Sequence, residues 1–221
     1  MKIYLVGGAV RDKIIGLPIE ERDWVVVGAT EKQMLQQGFR QVGSDFPVFL
    51  HPESNEEYAL ARTERKTGPG HKGFRCRSDP EVTLEEDLGR RDLTINAMAQ
   101  TQDGKLIDPH GGLGDIKTRS LSHISTSFKD DPLRILRVAR FKARFHHLGF
   151  SVNQDTTDLI MTMVANKEHK ELSAERILME LQKALITKNP AKFFSYLTKV
   201  GANSTLWPEI SDAAYNRLDT S

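Results

Sequence analysis

The constraint that most narrows what this chain can fold into is a change in hydrophobic periodicity near residue 125. Upstream, short β-branched or apolar runs at 2–6, 22–27, 46–51 and 57–61 are broken by glycine, the pattern of strands. Between them, 9–15 (stopped by Gly16-Leu17-Pro18), 31–37 (stopped at Gly38) and 93–99 have helical spacing. Residues 62–82, rich in Gly, Lys, Arg and Pro, lack periodicity and predict a long mobile loop, and 106–115 predicts a glycine turn. Downstream, apolar residues recur at three- and four-residue intervals over 131–147, 156–164, 174–186 and 190–200. An α+β chain is therefore expected, with an α/β part over 1–127, an all-helical part over 128–210, and an unassigned tail over 211–221.

At 221 residues there is room for one large domain or two small ones. No apolar run approaches the ~20 residues of a bilayer span, and the run after Met1 is broken by glycine too soon for a secretion signal. No membrane association is expected. The single cysteine, Cys76, excludes an internal disulfide and a multi-cysteine zinc site, and a reducing, cytoplasmic setting follows as the default. The formal charge of +1 names no partner, but its distribution is uneven. Residues 1–116 carry 15 basic and 19 acidic groups, whereas 117–200 carry 15 basic and 8 acidic. A basic second part fits either a polyphosphate partner or a lysine-coated helix surface.

Several residues can carry chemistry. Gly7-Gly8 joins a strand to a helix, where backbone N–H groups can approach a phosphate, and Arg11 could add a charged fork. Glu21 and Asp23, two apart on a strand, point to one face. They form either a solvated charge pair or a hard-oxygen seat for Mg²⁺. Glu57 is the candidate third carboxylate. Asp92 either caps a helix or, with Arg91, serves ribose hydroxyls and phosphates. In the 131–147 helix, Arg134, Arg137, Arg140 and Arg144 fall within an arc of about 120°, so that helix is expected to bury one face and present guanidinium groups on the other. The seven histidines show no ligand spacing.

Taken together, Gly7-Gly8-Ala9-Val10-Arg11-Asp12 with Glu21-Arg22-Asp23-Trp24, Arg90-Arg91-Asp92 with Asn96-Ala97, Asp130-Asp131-Pro132-Leu133-Arg134, and Glu175-Arg176 resemble, in order, the motifs of class II bacterial tRNA nucleotidyltransferases, the CCA-adding enzymes. Two positions depart from that pattern: Glu21 stands where Asp is usual, and Asp130 where Glu is usual. The resemblance implies a polymerase-β-like nucleotidyltransferase head and an all-helical neck. It implies addition of C, C and A to tRNA 3′ ends from CTP and ATP, with Mg²⁺ held by Glu21 and Asp23. By the same resemblance Gly8, Arg11, Arg91 and Asp92 meet the nucleotide's ribose and phosphates. Asp131 and Arg134 read the base, Arg137 and Arg140 hold phosphates, and Glu175-Arg176 is structural. Family members are usually longer, with body and tail regions. The alternatives are a poly(A) polymerase-type enzyme, an inactive nucleotide- or RNA-binding chain, and a basic helical interaction module.

Overall fold

The computed structural model of the chain describes residues 1–43, 48–66 and 74–210, with 214, 215 and 218. Its described residues fall into two compact units, Met1–Ile116 (without 67–73) and the chain from Lys117 onward. The sequence places this division eleven residues later, at 127/128. The intervening stretch joins the second unit through a short parallel pairing, Ser120 and Leu121 opposite Ser151 and Val152.

The first unit is built on a seven-stranded sheet. Its strands and helices run β1 (Lys2–Val6), α1 (Gly8–Ile15), β2 (Asp23–Val27), α2 (Glu31–Gln36), β3 (Arg40–Val42), β4 (Val48–Leu50) and β5 (Glu57–Leu60). A separate hairpin follows, β6 (Thr63–Lys66) and β7 (Phe74–Arg77), then α3 (Leu84–Gly89), β8 (Ala99–Gln100), β9 (Leu106–Ile107) and α4 (Gly112–Thr118). The sheet order is β3-β4-β5-β2-β1-β8-β9. Only β2 and β5 pair in parallel within it; the other neighbours are antiparallel. One face is packed by Met34, Phe39, Phe49, Tyr58 and Leu60, with Trp24 stacked on Tyr58. Val10, Ala9 and Met98 close a second core cluster with Leu5.

Three expectations are corrected here. The expected helix at 93–99 is a single 3-10 turn, Thr94–Asn96, leading into β8. The helix lies upstream as α3, started by Thr83 and Glu86, whose side chains each accept from the other's backbone N–H. The expected glycine turn at 106–115 contains β9 and the start of α4. There the Asp108 carboxylate accepts from the N–H groups of Gly112 and Leu113, and a Cβ on Gly112 would lie 2.4 Å from the Thr94 carbonyl oxygen. Within 62–82, the described ends form the β6–β7 hairpin, which has no apolar alternation to betray it; residues 67–73 lie outside the described residues. The expected strand at 46–51 begins at Val48, with 46 and 47 likewise outside. The strand β3 was not anticipated.

The second unit carries β10 (Ser120–Leu121), α5 (Leu133–Phe145), β11 (Ser151–Val152), α6 (Gln154–Ala165), α7 (Ala174–Leu185), α8 (Ala191–Lys199) and α9 (Asn203–Leu206). All four expected helices are present. Helix α5 is the hub, packing against both α7 and α8. Ile135, Leu136, Val138, Ala139 and Phe145 are buried along it. Most of the expected 211–221 tail lies outside the described residues. Among the described residues no helix is long and apolar enough to cross a membrane.

Candidate functional site

In the first unit the local fold draws four sequence segments to the end of β1. Gly7 follows that strand with φ +68°, a conformation open to glycine and strained for other residues. A Cβ at Gly7 would lie 2.7 Å from Arg91 Nη1. The turn is therefore glycine for two reasons, its backbone angle and the guanidinium that leans on it. Across β1–β2, Val6 is opposite Asp23, and across β2–β5 Asp23 is opposite Glu57. Register partners share a face of the sheet, so Glu57 belongs to the Asp23 face.

Asp23 still reaches solvent, yet the protein around it raises its carboxyl pKa above the usual value; Arg91 opposes that rise and Glu21 adds to it. Asp23, Glu21 and Arg91 are thus within electrostatic reach of one another. Two carboxylates within electrostatic reach make a hard-oxygen donor pair suited to a divalent cation. Among the described residues no group of three or more His, Cys, Asp or Glu side chains is arranged to hold a metal, and the expected strand position of Glu21 is corrected, since β2 begins only at Asp23.

Arg91 is held by a residue the motifs did not single out. Asp87, fully buried on α3, accepts from Arg91 Nη2 at 3.2 Å and from Arg90 Nη2 at 2.8 Å. Burial alone would raise its pKa; the adjacent Arg90 and Arg91 guanidiniums overcome this and hold it below the usual carboxylate value. The signal for Asp87 was available in the Thr83–Glu86 capping pair, which starts a helix whose next residue must face inward. Arg90 also binds Glu64 at 2.8 Å, tying α3 to the hairpin. On that hairpin Cys76 lies opposite Glu64; burial first, then Glu64, pushes its thiol pKa up, against a nucleophilic role.

Arg11 and Asp92 belong to a buried network. Arg11 Nε and Nη2 donate to the two Asp12 carboxylate oxygens at 2.8 and 2.9 Å, and Nη1 donates to Asn96 Oδ1. Asn96 in turn donates to Asp92 Oδ1 at 2.9 Å, and the Leu93 N–H donates to the same oxygen at 2.8 Å. In this state the expected Arg11 fork is engaged within the protein. The Asp92 carboxylate shapes the 3-10 turn and caps no α-helix. The network clamps α1 to that turn and fixes the Gly7–Gly8 backbone between them.

The second unit holds the other predicted residues. Asp131, at the start of α5, accepts from Arg176 Nη2 through both carboxylate oxygens, at 3.2 and 2.9 Å, and from the Leu133 N–H at 3.1 Å. Arg134 Nη1 donates to the Ser127 carbonyl at 3.0 Å. The expected guanidinium-lined outer face of α5 is corrected: Arg134 and Arg140 are each only 8% exposed. Arg140 lies over the Phe141 ring and donates to Glu180 at 2.5 Å, and Arg137 is 3.7 Å from the same carboxylate. Buried Glu180 on α7 supplies the counter-charge. It stands forty residues beyond Arg140, too far for helical spacing to reveal.

Residues 3–122 match the family described as the poly(A) polymerase head domain. Residues 149–214 match the one described as the probable RNA and SrmB-binding site of polymerase A. Among solved structures, the chain is similar to a CCA-adding enzyme complexed with ATP (TM-score 0.77, 29% identity, 95% of this chain and 49% of that one). It is similar to a CCA-adding enzyme complexed with CTP (0.74, 30%, 94% and 49%). The Thermotoga maritima CCA-adding enzyme complexed with tRNA also resembles it (0.73, 30%, 95% and 49%). The chain spans about half the length of each of these structures.

Proposed function

The chain belongs to the poly(A) polymerase head-domain family, and from that premise we propose that it is a CTP/ATP:tRNA nucleotidyltransferase that adds CCA to tRNA 3′ ends without a nucleic-acid template. The observation that carries the reading is the convergence of Asp23, Glu21 and Arg91 on the Gly7–Gly8 turn. Glu21 and Asp23 would hold Mg²⁺, which when bound favours the ionised 3′-hydroxyl and offsets charge on the departing phosphates. Arg91, oriented by Asp87, would donate to the triphosphate, and the Gly7–Gly8 backbone leaves room for a phosphate to come close.

In the transfer, the tRNA 3′-oxygen forms a bond to the α-phosphorus. The bond from that phosphorus to the bridging β-oxygen breaks, pyrophosphate leaves, and the hydroxyl proton passes to solvent. Base choice would fall to the second unit. A carboxylate such as Asp131 can accept from the exocyclic amine of cytosine or adenine, and Arg134 can donate to the neighbouring ring nitrogen. Uracil and guanine present the reverse pattern. Arg137 and Arg140, bound by Glu180, hold α5 to α7 in this reading and keep that pair in place.

The test is incorporation into a tRNA ending one, two or three residues short of CCA, with each nucleotide supplied alone and together. CTP and ATP are expected to be used, UTP and GTP refused, and Asp23→Ala should abolish product while the protein stays folded. Incorporation of ATP alone would assign poly(A) synthesis, the reading that the head family's description favours. No product with any nucleotide would leave a binding protein.

A further inference from the structure

The carboxylate pair stands where the sheet runs out of pairing. Asp23 is the first residue of β2 and the terminal rung of its ladders to both neighbours, opposite Val6 on β1 and Glu57 on β5. Residues 17–22, which include Glu21, have no helix or strand structure. A pair set half on a strand and half off it keeps a fixed spacing only if something beyond the ladder holds it. Glu56, one residue before Glu57, supplies that hold. Its Oε2 accepts from Trp24 Nε1 at 2.9 Å, and its Oε1 accepts from Arg22 Nη1 at 3.3 Å. Arg22 and Trp24 are the two chain neighbours of Asp23, so one carboxylate grips the chain on either side of it. The Trp24 ring is fixed independently, stacked on buried Tyr58 with centroids 5.6 Å apart and planes 13° from parallel. The indole N–H is therefore already aimed when the carboxylate meets it. The Arg22 side chain is 53% exposed, and solvent weakens its half of the grip. The part-buried indole bond, made to an ionised acceptor, is the stronger half.

We propose that Glu56 is a positioning residue that sets the spacing of the Glu21–Asp23 pair, and through it the seat of the divalent cation. The proposal rests on the reading of that pair as a Mg²⁺ seat, and it adds what holds the seat in place. Glu56 acts through Trp24 and Arg22 and is not itself a donor to the metal. Strand alternation turns Trp24 to the face opposite Asp23, so the hold is applied from behind the carboxylates. Its loss would let Asp23 and Glu21 drift apart without altering the groups that read the base. The effect therefore falls on cation affinity and leaves the choice of nucleotide alone.

The test is Mn²⁺ binding to the full chain, followed by loss of the free-ion electron paramagnetic resonance signal, beside incorporation measured across Mg²⁺ concentrations. Mn²⁺ suits the same oxygen donors as Mg²⁺. Glu56→Ala is expected to weaken Mn²⁺ binding roughly tenfold. It should raise the Mg²⁺ needed for half-maximal incorporation by a similar factor, with CTP-over-UTP selection unchanged. Trp24→Phe keeps a ring on Tyr58 and removes the indole donor, and should reproduce most of that loss. Glu56→Gln keeps an acceptor for the indole and should recover part of it. If Glu56→Ala and Trp24→Phe melt earlier yet bind Mn²⁺ as the unmodified chain does, Glu56 is structural only and the functional reading stands. Should Glu56→Ala fail to fold, Trp24→Phe decides alone, and unchanged Mn²⁺ affinity there overturns the proposal. If the unmodified chain neither binds Mn²⁺ nor incorporates any nucleotide, both readings fall.

Discussion

His169 shows how one side chain links burial to solution behaviour. It is 1% exposed, and among the described residues neither ring nitrogen has a hydrogen-bond partner. Burial first, then Lys170, holds its pKa below the ordinary histidine value. The unfolded chain takes up a proton near pH 6.5 that the folded chain resists. Stability is therefore level above that pH and falls as pH drops below it. His123 contributes in the same direction, lowered by burial and partly restored by Asp155. Carboxylates held low, such as Asp87, lose their contribution only further down, near pH 4 and below. Thermal unfolding followed by circular dichroism should show a midpoint that is flat from pH 8 to 7 and declines from about pH 6.5 to 5. His169→Phe should flatten that decline, and an unchanged acid limb in the variant would assign it elsewhere.

Helix α7 orders the charged row of α5 from a distance. Arg176 and Glu180, four apart on α7, hold Asp131 and the Arg137–Arg140 pair respectively. Arg176→Ala is expected to relax CTP-over-UTP selection by about tenfold, a loss of roughly 1.4 kcal/mol of discrimination, with Arg176→Lys restoring part of it. A loss of thermal stability with selection intact would make Arg176 purely structural. The elements themselves were legible wherever punctuation met periodicity. Gly7, Gly16 and Gly38 bound β1, α1 and α2, and the apolar spacing of 131–147 gave α5 within two residues. What escaped depends on partners remote in sequence. The β6–β7 hairpin is fastened to Arg62 and Arg90 by Glu64. The arginines of α5 read as an exposed stripe because Glu180 is on another helix. The candidate site was legible as a list of residues. Its holding groups Asp87 and Glu180 were not, since each acts through an arginine that the motifs already contained, and Asn96 stood in a motif without its link from Arg11 to Asp92 being apparent.

Across the whole chain, charge and chemistry divide along the same line as the two units. Residues 1–116 carry a net of −4 and the remainder a net of +5. The first unit holds the carboxylate pair and the second the arginines of α5 with their Glu180 counter-charge. Removal of divalent ions by chelation is therefore expected to abolish nucleotidyl transfer and leave RNA binding within about twofold, measured by anisotropy and incorporation on the same sample. A parallel loss of both would mean that the metal also orders the RNA site.

The pairings that assemble the carboxylate face run far along the chain. Asp23 meets Glu57 through the one parallel pairing in the sheet, and Val6 meets Ala99 across ninety-three positions. Each requires a large loop to close before any contact rewards it, and non-local pairings of this kind slow folding. The helical unit closes large loops as well, since α5 packs against α7 and α8, which follow it by about forty and sixty positions. A chain still being synthesised therefore leaves one side of β1 unpaired until Ala99 and Gln100 have been made, and leaves α5 uncovered until α8 has followed.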